Sequence, residues 1–164
     1  MHSKKSFDEY YQYYVTEQRS KEQHQNEAKA LIQSIFDKFS DINSIVIIGS
    51  TPSWNDGDLC FHSQELMINN FCENAYNFSI NKEHLNEIGL TFVDEDEDED
   101  FLWANTKYGV NKNIQWPETV VNASKLLNAT SNLFEAGWQT NFMLTFVRAD
   151  NSFKFSENDF YCED

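Results

Sequence analysis

No window of the chain approaches the roughly eighteen consecutive apolar residues of a membrane-spanning helix. The opening stretch, MHSKKSFDEYYQYY, has no apolar segment of the signal-peptide kind. The expectation is a soluble, cytoplasmic protein with no membrane contact. Cysteine is scarce and odd in number, with Cys60, Cys72 and Cys162. Three thiols without an export segment argue against a disulfide framework, and no CxxC pair is spaced for structural zinc. Basic residues are the other shortage. Twelve Lys and Arg stand against 27 Asp and Glu, and neither base occurs between Lys38 and Lys82.

What remains suffices for one folded domain. A hydrophobic content of 40% and 14 phenylalanines in 164 residues exclude a disordered chain. The formal charge of −15 is unevenly placed. In residues 1–40 the bases Lys4, Lys5, Arg19, Lys21, Lys29 and Lys38 cancel an equal number of acids, so residues 41–164 carry the whole −15. A field of that sign repels phosphate backbones and attracts basic protein surfaces. Direct nucleic-acid binding is therefore not expected. Binding to a protein with a basic or nucleic-acid-binding surface is.

Hydrophobic periodicity sets the elements. SFDE at 6–9 has capping-box spacing, and Ala28, Leu31, Ile32, Ile35, Phe36 and Phe39 form a helical stripe over 18–39. One long helix or two joined helices fit this region equally. Ile45–Ile48 predict a buried strand, and 59–68 a second strand reached through a loop rich in Pro, Asn, Asp and Gly. The middle, 69–113, is hard to assign beyond a short helix ending near Gly89. Residues 116–137 predict a helix with Pro117 in its first turn and Gly137 as its cap. An alternating strand at 141–148, a tight turn at Ala149–Ser152 and a last strand with Phe153 and Phe155 complete the chain.

The expected fold is α+β: a two-layer single domain over 1–164, with an antiparallel sheet of β-hairpins. About four strands are covered by two main helices, in the order α-β-β-(variable)-α-β-β. Residues 1–16 read as a helical extension, with Phe7, Tyr10, Tyr11 and Tyr14 as docking side chains. Seven consecutive acids, Asp94, Glu95, Asp96, Glu97, Asp98, Glu99 and Asp100, read as an exposed acidic loop anchored by flanking aromatics that include Trp103.

The stretch GSTPSWNDGDLC tests the chain for catalysis. Gly49-Ser50 followed by Asp56 and Asp58 looks superficially like the nucleotidyltransferase superfamily, whose paired carboxylates hold a divalent metal for phosphoryl transfer. Pro52 and the NDG triplet favour a turn instead of the superfamily's short helix, and no neighbouring base awaits a triphosphate. Thr51, Pro52, Trp54, Asn55, Asp56, Gly57 and Asp58 read better as a structural turn. An EF-hand spacing is incomplete, and Cys60 with His62 lacks a third metal ligand. No metal and no cofactor are expected.

STPSWNDGDLCFH also resembles a segment, QYTPYFNDGD-C-F, in a group of phage and bacterial proteins without an assigned activity. Thr51, Pro52, Asn55, Asp56, Gly57, Asp58 and Cys60 occupy matching places, and His62 stands at the final one. Gly49, Ser50 and Trp54 depart from Gln, Tyr and Phe. The resemblance implies a helix leading into a strand, a later helix leading into a terminal hairpin, and a phage-type accessory origin. Three functions follow as expectations. The first is a non-enzymatic acidic inhibitor, of an anti-defence kind, that mimics nucleic acid toward a basic protein surface. The second is a metal-dependent nucleotidyl or phosphoryl transferase using Asp56 and Asp58. The third is an assembly component docking through the N-terminal aromatic helix, a homo-oligomer among the outcomes.

Overall fold

A computed structural model of the chain describes residues 7–53, 57, 59–90, 105–107 and 115–161, with the backbone alone over 7–17. Helix α1 runs without a break from Phe7 to Lys38. Of the two arrangements open for this region, the single helix is the one that forms. Strand β1 (Ser44–Ser50) is buried along its whole length. It pairs antiparallel with β2 (Ser63–Ile68) on one side and β4 (Phe142–Ala149) on the other. A two-residue strand, β3 (Phe71–Cys72), extends the first hairpin, and β5 (Ser152–Asp159) flanks β4. The sheet order is β3-β2-β1-β4-β5.

Among the described residues the sheet therefore has five strands, where about four are expected. The helices also exceed the expected two: α2 (Tyr76–Ser79), α3 (Lys82–Glu87), α4 (Glu118–Ala129) and α5 (Ser131–Trp138) join α1. The second long helix is split at Thr130, whose backbone (φ −109, ψ 18) leaves the helical region and whose hydroxyl shares Leu126 O, at 2.8 Å, with its own N–H at 3.1 Å. A threonine that bonds to its own helix's carbonyls competes with the ladder. The β2–β3 turn is made by Asn69 and Asn70, both at positive φ, the conformation that a two-residue hairpin needs. Asn69 also accepts from the N–H of Asn43 at 2.7 Å and donates to Asp41 O at 2.6 Å, which ties the turn to the start of β1.

The long helices pack against one face of the antiparallel sheet in a two-layer α+β domain, and the short α2 and α3 cover part of the other face. Alternation along β1 splits its side chains between two cores. Ile45 and Ile47 face the larger one with Ile32, Phe36, Phe134, Trp138, Leu144 and Phe146, under α1, α4 and α5. Val46 and Ile48 face a smaller one with Met67, Phe78, Leu85 and Met143, under the short helices. Gly137 lies inside α5 and is not its cap. Its hydrogen faces Gln25 of α1, where a Cβ would stand 3.3 Å from the backbone nitrogen, and Gln25 Nε2 donates to Gly137 O at 2.7 Å. The cap position falls to Gln139 at φ 68. No helix among the described residues is long and apolar enough to cross a membrane.

Candidate functional site

Gly49, half of the Gly-Ser pair, sits within β1 opposite Phe142. A Cβ there would meet Phe142 Cε2 at 2.6 Å and His62 Cε1 at 2.9 Å. The glycine makes room for two rings crossing the strand, and Ser50 ends the strand opposite Ser63. Beyond them, Thr51 Oγ1 lies 2.7 Å from Thr140 Oγ1, which lies 2.9 Å from His62 Nδ1. Gln64 Nε2 donates to Ser131 O at 2.9 Å and faces His62 Nε2 at 3.0 Å. Because that amide nitrogen is a donor, the network assigns His62 Nε2 as acceptor and Nδ1–H as donor to Thr140. The Thr140 hydroxyl then donates to Thr51. Each group has its partner, so the arrangement staples the β1–β2 connection to the α5–β4 link and leaves no activated nucleophile.

Gly57, at φ +86, takes the turn conformation that its position in NDG suggests. Trp54, Asn55, Asp56 and Asp58 lie outside the described residues. So do Asp94, Glu95, Asp96, Glu97, Asp98, Glu99, Asp100 and Trp103. Phe7, Tyr10, Tyr11 and Tyr14 fall on the stretch of α1 described by backbone alone. Among the described residues, no group of three or more His, Cys, Asp or Glu is placed to hold a metal. Strand β2 begins at Ser63, later than the expected 59, and the lead-in leaves Leu59 and Phe61 exposed at 74% and 71%.

The clearest concavity lies elsewhere, where sequence analysis placed nothing. Strand β3 ends after two residues, and past its end a hollow of about 280 Å³ opens along the edge of β2. Glu65, Glu73, Asn74 and Asn128 bring polar groups to it, and Phe71, Phe78 and Trp116 bring aromatic walls. The Phe71 and Trp116 rings meet at 6.1 Å between centroids. The Trp116 indole nitrogen is buried without a hydrogen-bond partner among the described residues, as is that of Trp138 in the core. Among the described residues no Lys or Arg lines this hollow. An adjoining one shares Glu73, Trp116, Ser124 and Asn128.

Burial raises the Glu65 carboxyl above its ordinary range, opposed in part by the Asn77 amide that donates to it. Burial and then the Glu65 charge push the Cys72 thiol up to about 12. Cys72 is thus a thiol at neutral pH, unsuited to nucleophilic attack. Glu73 already has a cation, Lys107 at 3.7 Å, so Glu65 beside the aromatic walls is the carboxylate left to meet another. The signal for this hollow was the Asn69-Asn70 pair between apolar residues, which marks a hairpin turn and hence an edge strand. No protein-family model, curated protein or solved structure matches the chain.

Proposed function

We propose that the chain is a non-enzymatic acidic interaction protein that engages a basic, nucleic-acid-binding surface of a partner as a nucleic-acid mimic. The resemblance at residues 50–62 suggests a phage accessory role of the anti-defence kind. The observation that carries the reading is the segregation of charge, with −15 confined to residues 41–164. Between described residues a single ion pair, Lys107–Glu73 at 3.7 Å, joins an acid to a base, and both side chains are half exposed. The excess of 21 acids over six bases in residues 41–164 gives an outward field that attracts a basic groove as phosphates do. Asp94–Asp100 supply the densest part of that charge.

Affinity capture of the full chain from expressing cells, followed by equilibrium binding to the captured partner, tests the reading. Affinity falls at least roughly tenfold between about 50 and 200 mM salt, and nucleic acid competes for the same partner surface. Replacing Asp94, Asp96, Asp98 and Asp100 by Asn weakens binding and flattens the salt dependence. Salt-insensitive binding, or a partner without a basic surface, overturns it.

A further inference from the structure

We infer that the open edge of β2 is a binding site for an extended peptide with a Lys or Arg between two apolar residues. The inference rests on the reading of this chain as a binder of basic protein, and adds where and how a segment of such a partner docks.

Backbone geometry supplies the lane. In an antiparallel ladder, successive residues aim their N–H and C=O alternately to the two sides. Ile68 closes the two-residue turn with Phe71 and so faces β3. Leu66 and Gln64 face the same side, where β3 no longer runs, and among the described residues no backbone group pairs with them there. The free edge, Ser63–Leu66, offers the paired donors and acceptors onto which an extended peptide adds as a strand.

Side-chain alternation sets the specificity. Leu66 belongs to the large-core face with Phe71 and Trp116, whereas Glu65, two residues from Met67, belongs to the opposite face with Phe78. A peptide residue opposite Glu65 places its side chain beside that carboxylate, which accepts from Asn77 and has no cation of its own among the described residues, whereas Glu73 at the same hollow is paired with Lys107. Its neighbours on either side turn to Leu66, Phe71 and Trp116. The first position therefore selects a cation and the flanking ones select apolar, β-branched side chains. The hollow, at about 280 Å³, accommodates side chains beside an added strand.

The test uses the full-length, ¹⁵N-labelled protein and acetylated, amidated pentapeptides of sequence Thr-Val-Lys-Val-Thr, with Arg, norleucine or Glu at the centre. The Lys and Arg peptides bind at about 1 mM or tighter, with amide shifts concentrated at Gln64, Glu65 and Leu66 and at the Trp116 indole. Norleucine weakens binding roughly tenfold, and Glu abolishes it. Glu65→Gln, with its folding checked by circular dichroism, weakens the Lys peptide and leaves the norleucine peptide unchanged. Shifts centred elsewhere, equal binding of the norleucine peptide, or no shifts at several millimolar Lys peptide each overturn the inference. The assay does not involve Asp94–Asp100. Peptide binding with a salt-insensitive partner would therefore retire the mimic and keep the edge site, and the converse result would retire the edge site alone.

Discussion

Arg148, on β4, donates from Nη2 to the carbonyl of Phe36 at 2.7 Å, and its guanidinium carbon lies 4.9 Å from the centre of that residue's ring. The same nitrogen reaches Phe39 O at 2.9 Å and Ile42 O at 2.8 Å, and Nε reaches Ile42 O at 2.9 Å. Phe36 O is one of the last-turn carbonyls that an α-helix leaves without internal partners, and Phe39 O, which also accepts from Ile42 N–H at 3.1 Å, and Ile42 O lie just beyond the helix end. A cation placed there also complements the negative end of the helix. One side chain of the terminal hairpin thus closes the N-terminal helix and fixes its exit into β1.

Arg148→Ala is expected to destabilise the fold by about 2–4 kcal/mol, because partly buried carbonyls lose charged donors. Arg148→Lys recovers only part of this, since an ammonium cannot reproduce the planar fork over the Phe36 ring. Urea denaturation of the three proteins checks the ranking. Equal stability of Arg148→Ala and the parent would contradict the clamp.

Gly49→Ala is expected to cost about 1–3 kcal/mol through overpacking against Phe142 and His62. If the clash is with the Phe142 ring, shortening that ring relieves it. Gly49→Ala combined with Phe142→Leu then costs less than the sum of the two single changes, as measured in a double-mutant cycle. Strict additivity would mean that the glycine serves the loop and not the ring.

These two positions mark what can and cannot be read from a sequence. The stripe from Ala28 to Phe36, the apolar run of β1 and the terminal hairpin are legible because each has a period and a turn signal of its own. Strand β3 is not, because two residues are too few to show alternation. The break at Thr130 lies in one residue's backbone and a hydroxyl that shares a carbonyl, which composition does not display. Gly49 looks like part of a phosphate-binding signature until the distant Phe142 is brought against it. The edge hollow is assembled from β2, β3 and the residues after it, α2, Trp116 and the second half of α4, so no contiguous motif announces it.

The raised carboxyl of Glu65 gives a pH-dependent prediction. A carboxyl whose pKa is higher in the fold than its ordinary 4.5 binds its proton more readily when folded. Its contribution to stability is therefore full below 4.5 and is lost as pH rises through the raised value. Glutamine is neutral throughout and keeps an oxygen for the Asn77 amide. Glu65→Gln should consequently gain stability relative to the parent as pH rises above the ordinary carboxyl value of 4.5, and level off once pH has passed the raised one. Denaturation of both proteins across that range checks the sign. A gap that is flat, or that closes with rising pH, would exclude desolvation as the controlling effect.

Thr140 is the pivot of the staple that links the two halves of the sheet. Its hydroxyl lies between His62 Nδ1 and Thr51 Oγ1, and the neighbouring Asn141 accepts from the Thr51 N–H at 3.2 Å. Valine matches threonine in shape and removes the hydroxyl, so Thr140→Val isolates the polar contribution. Two partly buried partners lose a bond at once, for an expected destabilisation of about 1–2 kcal/mol. The effect should also be local. Hydrogen exchange at the Thr51 amide and at residues 59–62 accelerates, while exchange in β4 and β5 follows only the global change. If His62 serves only to fill space beside Phe142, whose ring centroid lies 5.9 Å away, the valine variant leaves that exchange untouched. Acceleration confined to the connection would instead show that the histidine acts through its hydrogen bonds, tying Thr140 to the end of the β1–β2 connection.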